Sequence, residues 1–313
     1  MQQKSFPIPV SYFSIVLGLS ALGLAWRYGA QHLDLPAAVG EILLGIAFVI
    51  WLIFITAYVI KWCYFTEQAK EELHHVIQCC FISLIPITST LIGLGALPYA
   101  FPVAVGLISF GIIGQLLFAA YRTAGLWRGL HKPEATTPVI YLPTVATNFV
   151  SAGAMGVLGY PDWGILFFGA GVLSWLTVEP AVLHRLRNLE PLPAPIRPII
   201  GIQLAPAFVG CSAYFAINGG EVDFLVKILV GYGLLQLLFL IRLLPWIGQN
   251  GFSVPFWAFS FGLASMANVG LHLTQTAGFG TLGMAIFWFA STMIGLLIFG
   301  TIILLIQGRF FVK

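Results

Sequence analysis

The chain has 313 residues, of which 59% are hydrophobic and 8% charged, with a formal net charge of +3. Soluble domains carry about 25% charged residues, so a pair of soluble domains is excluded and no nucleic-acid partner is expected. A spanning helix needs about 20 mostly apolar residues, which leaves one transmembrane domain over residues 1–313 with around ten spans and short loops.

Ten apolar runs lie between charged or turn-rich breaks, starting near Val10, Pro36, Val76, Ala100, Val139, Trp163, Ile199, Val222, Phe252 and Thr281. The first, "VSYFSIVLGLSALGLAW", exceeds a signal-peptide core and has no cleavage site after it, so a retained span is expected rather than a leader. The second, "EILLGIAFVIWLIFITAYVI", and the tenth, "TLGMAIFWFASTMIGLLIFGTIILLI", are bulky and apolar nearly all round, which suits lipid or a subunit contact.

The odd-numbered runs differ. The third reads "LIPITSTLIG", the fifth "YLPTVATNF", the seventh "IQLAPAFVGCSAY" and the ninth "VPFWAFSFG". Each has a Pro followed three residues later by a residue of modest size: Pro86 and Ser89, Pro143 and Ala146, Pro206 and Val209, Pro255 and Ala258. The prolines recur at intervals of 57, 63 and 49 residues, the mark of a repeated helical hairpin. The first run joins by a different overlay of "YFSIVLGLSALG" on "FWAFSFGLASMA", which sets Gly18 on Gly262, Ser14 on Ala258 and Leu17 on Phe261. The expected fold is all-α, with five hairpins and a quasi-five-fold inner ring of odd spans around a central pore. A second reading of the same prolines and small residues is close helix packing alone.

With ten spans, one side of the membrane receives Lys4, Lys61, Lys70, Arg122, Arg128, Lys132, Arg185, Arg187, Arg197, Arg242, Arg309 and Lys313, and the other only Arg27 and Lys227. The excess places both termini in the cytoplasm. All five odd helices then start there, and their positive dipole ends share one mouth.

The odd spans have no ionisable group at mid-membrane, so a proton relay or an Arg-based substrate site is not expected. For a permeating ion there remain Ser14, Thr88, Ser89, Thr144, Thr147, Ser212, Asn148, the helix dipoles and the basic mouth, a set that favours anions bound weakly. Phe261, one turn from Ala258, would fall within a lumen walled by small groups and close it, or else pack between helices as core. Glu179 is expected to pair with Arg185 or Arg187, Lys227 with Asp223, and His74 and His75 to be solvated. Cys63, Cys79, Cys80 and Cys211 have neither CxxC nor zinc spacing and read as small apolar residues. No P-loop, Ser-His-Asp, HExxH or carboxylate-pair pattern occurs, so no catalytic residue, metal or cofactor is assigned and an enzyme is not expected.

The segments "YLPTVATNF", "GIQLAPAFV", "INGGEVDFLVKILVGYGLLQ" and "FWAFSFGLASMA" resemble the tellurite-resistance/dicarboxylate transporter family, which also holds plant guard-cell slow anion channels and yeast malate carriers. The likeness spans nearly the whole chain. It implies a multi-pass protein of the bacterial inner membrane, a homotrimer with a pore in each ten-helix protomer. It also implies conduction of monovalent anions such as chloride and nitrate, and an association with potassium tellurite resistance. The family's gating phenylalanine falls on Phe261 through "WAFSFG". The family's "YFGIPLG" stands here as "YFSIVLG", with Ser14 for Gly and Val16 for Pro. The alternatives are a secondary carrier exporting tellurite, dicarboxylates or lipophilic toxic compounds, and a membrane scaffold for a cytoplasmic resistance enzyme.

Overall fold

The computed structural model describes residues 6–129 and 131–311, and every regular element among them is helical. Lys4 and Lys313, both in the basic-residue count, lie outside the described residues. Among the described residues ten helices are long and apolar enough to cross a membrane: span 1 (Val10–His32), span 2 (Ala37–Tyr64), span 3 (Gln78–Ala96), span 4 (Phe101–Leu126), span 5 (Pro138–Val157), span 6 (Pro161–Asn188), span 7 (Ala194–Asn218), span 8 (Phe224–Ile247), span 9 (Val254–Thr274) and span 10 (Gly280–Ile306). The largest departure from the expected starts is at span 7. Its opening 3-10 segment, Ala194–Leu204, contains Pro195, Arg197 and Pro198, which break the apolar run in the sequence.

Odd and even spans separate by burial. In the most apolar window of each, 72–83% of residues are buried in the odd spans and 22–33% in the even ones. The even spans carry their apolar side chains outward, as lipid requires, while most of each odd span is covered by protein. Each odd span packs on the even span that follows it, and contacts between odd spans run from 1 to 3, 5, 7 and 9 and back to 1. At the crossing of spans 9 and 10, a Cβ built on Gly270 would lie 2.6 Å from the Gly283 carbonyl oxygen, and one on Gly283 2.5 Å from that of Gly270. Only glycine admits such an approach of two backbones.

All five odd spans open with non-α winding. Spans 1, 3, 7 and 9 begin as 3-10 helix, and span 5 passes from 3-10 through a π turn, Leu142–Ala146, before the α-helix starts at Thr147. The repeated prolines sit at these joints and not in the middle of α-helices. Pro86 is in the first α turn of span 3, Pro143 in the π turn, Pro206 second in the α-helix of span 7, and Pro255 second in the 3-10 turn of span 9. A proline in the first turn gives up an N–H that has no intrahelical partner, so the joint is its cheapest place. Prolines inside α-helices occur instead at Pro180 and Pro245 of the even spans 6 and 8, while span 7 holds Pro198 inside its 3-10 opening.

Two ion pairs tie the termini of the first spans. Arg27 meets Glu41 at 2.7 Å and also donates to the Gly95 carbonyl, joining spans 1, 2 and 3. Lys61 meets Glu72 of the short helix Thr66–His74 at 2.9 Å, and Glu72 also accepts the Val10 N–H at 3.0 Å, which anchors the start of span 1.

Candidate functional site

The position of Phe261 follows from its two neighbours. Ser260 Oγ donates to the Ser14 carbonyl at 3.1 Å, and a Cβ on Gly18 would fall within 2.4 Å of the Ser260 side chain, so span 9 is pressed on span 1 there. Gly262 abuts span 7: its added Cβ would be 2.8 Å from Leu204 Cβ and 3.0 Å from the Ala205 nitrogen. With spans 1 and 7 on either side, the Phe261 ring between them points inward. The overlay of Gly18 on Gly262 is thus matched in space, since each glycine meets the preceding odd span in the cycle. Gly210 follows the same rule against Phe149 of span 5.

Two cavities meet at this level. The narrow one, about 30 Å³, is lined from all five odd spans by residues that include Ser14, Leu84, Ala146, Val209, Ala258 and Phe261. That volume holds about one or two water molecules. The other is a vestibule of about 530 Å³ among the C-terminal ends of the odd spans. Both linings share Phe149, Val209 and Phe261, which therefore form the partition between them. The narrow cavity has no charged residue in its wall, and its polar groups are the Ser14 and Tyr141 hydroxyls and the Trp257 indole.

Of the residues singled out from the sequence, Ser14, Leu17, Ala146, Pro206, Val209, Ala258 and Phe261 are in the narrow lining. Pro86, Ser89, Pro143 and Pro255 are in neither lining. Pro86 packs against Gly111 and Gly114 of span 4, Ser89 is buried with its hydroxyl on the Ile85 carbonyl at 2.7 Å, and Pro255 is exposed. Span 3 contributes Phe81 and Leu84 instead, from its 3-10 start and the first residue of its α-helix.

The other hydroxyls expected to face an ion are mostly turned to the backbone. Thr88 donates to the Leu84 carbonyl, Thr147 to that of Pro143, and Ser212 to that of Ser265, while the Asn148 amide donates to the Thr144 carbonyl. A short hydroxyl in a helix reaches the preceding turn more readily than a lumen. Ser212, Ser265 and Asn268 line the vestibule.

Several expected pairings take other forms. Glu179 accepts from Tyr141, Trp175 and Tyr232, whereas Arg185 donates to the Glu134 and Glu190 carbonyls. Asp223 does not form one of the ion pairs among the described residues. It caps span 8 by accepting the Val226 N–H at 3.0 Å and the Tyr214 hydroxyl at 2.8 Å. Burial alone would raise the Asp223 carboxyl, but these hydrogen bonds outweigh it and hold the group below its ordinary value of 3.8. His74 and His75 are exposed, and all four cysteines are free.

The sequence reading missed Phe149, which joins Phe261 in the partition. Its ring is clamped: Cβ atoms added at Gly171 and Gly210 would lie 2.7 Å and 3.1 Å from it, and Phe168 stands at 5.7 Å between centroids. The series Leu142, Val145, Ala146, Phe149 has the spacing of one helix face, and that spacing around Ala146 is the signal that points to it. Phe261, in contrast, has no ring partner among the described residues. Trp257 and Phe259 also find their roles, the first bonding Thr301 of span 10 at 2.8 Å and the second covering Gly201 of span 7. A stack of Phe215, His272, Tyr28 and His32, with centroids 3.8–4.1 Å apart, stands at the vestibule.

Ten apolar helices, with the buried ones enclosing an uncharged constriction below an open vestibule, define a multi-pass membrane protein of the channel and transporter class. The model of the voltage-dependent anion channel family matches residues 7–302, and the chain belongs to that family. It is 46% identical to the tellurite resistance protein TehA homolog of Haemophilus influenzae, over 99% of this chain and 94% of that protein. It is 22% identical to the S-type anion channel SLAH2 of Arabidopsis thaliana over 85% of this chain and 53% of that one. The guard cell S-type anion channel SLAC1 of the same plant is 22% identical over 83% and 49%, so this chain spans about half the length of the plant proteins.

Proposed function

We propose that the chain is a gated anion channel of the bacterial inner membrane that conducts monovalent anions such as chloride and nitrate through the inner ring of odd spans, with Phe261 as the gate. The observation that carries the reading is the place of Phe261, in the linings of both cavities and without a ring partner, on a helix fixed by Ser260 and Gly262. One aromatic ring in an apolar constriction stops ions both sterically and by keeping out water. The cyclic contacts between odd spans support a path through the protomer, and the absence of charge in the narrow wall suits brief, weak anion binding. The positive helix ends and the basic excess at the mouth they share favour anions over cations.

In this reading both termini are cytoplasmic, the protein works as a homotrimer in the lipid bilayer, and it acts in potassium tellurite resistance, as its Haemophilus relative's name suggests. The test is two-electrode voltage clamp of the wild type and Phe261→Ala in matched chloride, nitrate and gluconate baths. A large mutant current reversing near the anion equilibrium potential is expected. Silence of both proteins, with each shown at the cell surface, would overturn the channel and direct attention to uptake assays for a carrier.

A further inference from the structure

Tyr141 lines the narrow cavity and is 1% exposed, yet its hydroxyl is bonded to Glu179 of span 6, outside the inner ring. Glu179 Oε2 also accepts the Trp175 indole N–H at 2.8 Å, and Oε1 accepts the Tyr232 hydroxyl at 2.9 Å. Three neutral donors from spans 5, 6 and 8 thus converge on one carboxyl, and none of the ion pairs among the described residues includes it. An ionised carboxylate accepts only, and this set of donors suits that form.

The Tyr141 oxygen lies 2.9 Å from Gln203 Oε1, while Gln203 Nε2 is buried with no partner. Tyr141 has a single proton, so two acceptors cannot both use it. With the Gln203 amide turned so that Nε2–H faces Tyr141, Gln203 donates to the phenol oxygen and Tyr141 gives its one proton to Glu179. The chain from Gln203 to Tyr141 to Glu179 fixes the phenol in the wall and sets a negative charge one side chain behind the cavity.

We propose that Glu179 is a positioning and charge-selecting residue: it holds Tyr141 in the cavity wall, and its negative charge disfavours multivalent anions there. The inference rests on the channel reading above. A fixed negative charge near a path for anions opposes their stay, and it opposes a divalent ion twice as strongly as a monovalent one. A carboxylate held in a membrane span by neutral donors, with no ion-pair partner among the described residues, is costly to keep, which is the reason to seek its use in permeation.

The test places Glu179→Gln and Glu179→Asp in the Phe261→Ala channel and reads the sulfate-to-chloride permeability ratio from reversal potentials. Glu179→Gln, near in shape and without charge, should raise the ratio about three- to tenfold, on the order expected for removing one nearby charge. Glu179→Asp keeps the charge but shortens the reach to Tyr141, so it should hold the ratio within about twofold while altering chloride conductance. An unchanged ratio in Glu179→Gln, with chloride current present, overturns the role of Glu179 and leaves the channel standing. If the Gln protein does not reach the surface, a rise of the ratio in Glu179→Asp equally overturns it. Absence of anion current from the Phe261→Ala parent overturns the channel reading, and this proposal with it.

Discussion

Replacing Gly262 by Ala adds one methyl group between spans 9 and 7, beside Phe261. The new Cβ would stand 2.8 Å from Leu204 Cβ and 3.0 Å from both the Leu204 carbonyl carbon and the Ala205 nitrogen. Carbon atoms rest at about 3.5–4.0 Å, so the two helices must part by roughly 0.5–1 Å, since these backbone atoms and a Cβ fixed to the backbone cannot swing aside as a side-chain tip can. Overpacking of this kind costs about 1–3 kcal/mol, offset by about 0.5–1 kcal/mol gained when a helix-interior Gly becomes Ala. The net loss is about 0–2.5 kcal/mol, centred on about 1, read as a fall of a few degrees in apparent Tm in detergent. Gly45 of span 2 is the matched control, since nothing lies within 4 Å of its added Cβ, and Gly45→Ala should be neutral or stabilising. Equal melting of the two variants would refute the claim that span 9 is held by close backbone contact. The separation should also shift the Phe261 ring, so Gly262→Ala should change the closed-state leak current where Gly45→Ala does not.

Phe149→Ala should behave unlike Phe261→Ala although both rings stand in the partition. Phe149 is locked against Gly171, Gly210 and Phe168, so its truncation should cost about 3–5 kcal/mol and appear as lost folded protein in size-exclusion chromatography, not as a large current from intact protein. Asp223→Ala removes the cap of span 8 and should cost about 1 kcal/mol in thermal unfolding at neutral pH. Because the folded Asp223 carboxyl is held below 3.8, its contribution is complete above that value and is lost as pH falls through the lower folded one. The stability gap between wild type and Asp223→Ala should therefore close below about pH 4, and a gap that persists there would contradict the capping role.

Composition and hydropathy by themselves determined the class, the ten spans and the division of labour between odd and even ones, because a lipid-facing helix must be apolar over a fixed length whatever its neighbours are. The recurrence of Pro near the start of odd spans and the overlay of Gly18 on Gly262 were legible too, although the four prolines take different positions within their opening turns. Both signals come from local constraints: a first helical turn tolerates Pro, and close crossing of two backbones requires Gly. Seven of the residues singled out for the lumen are in the narrow lining and Pro86, Ser89, Pro143 and Pro255 are in neither cavity, because spacing fixes which residues share a helix face but not where that face points.

Only the tertiary structure decided which face each helix turns inward. Span 3 shares the Pro spacing but presents Phe81 of its 3-10 start and Leu84, the first residue of its α-helix, and its proline stays outside the lining. Likewise a sequence lists the hydroxyls of Thr88, Ser89 and Thr147 without saying that each is spent on a carbonyl four residues back. Glu179 was visible as a carboxylate near two arginines in the chain, whereas its partners Tyr141 and Tyr232 are 38 and 53 residues away. Distance along the chain gives no measure of distance across a bundle, so the convergence of three donors on Glu179, and of Phe149 and Phe261 on one partition, exists only once the ten helices are packed.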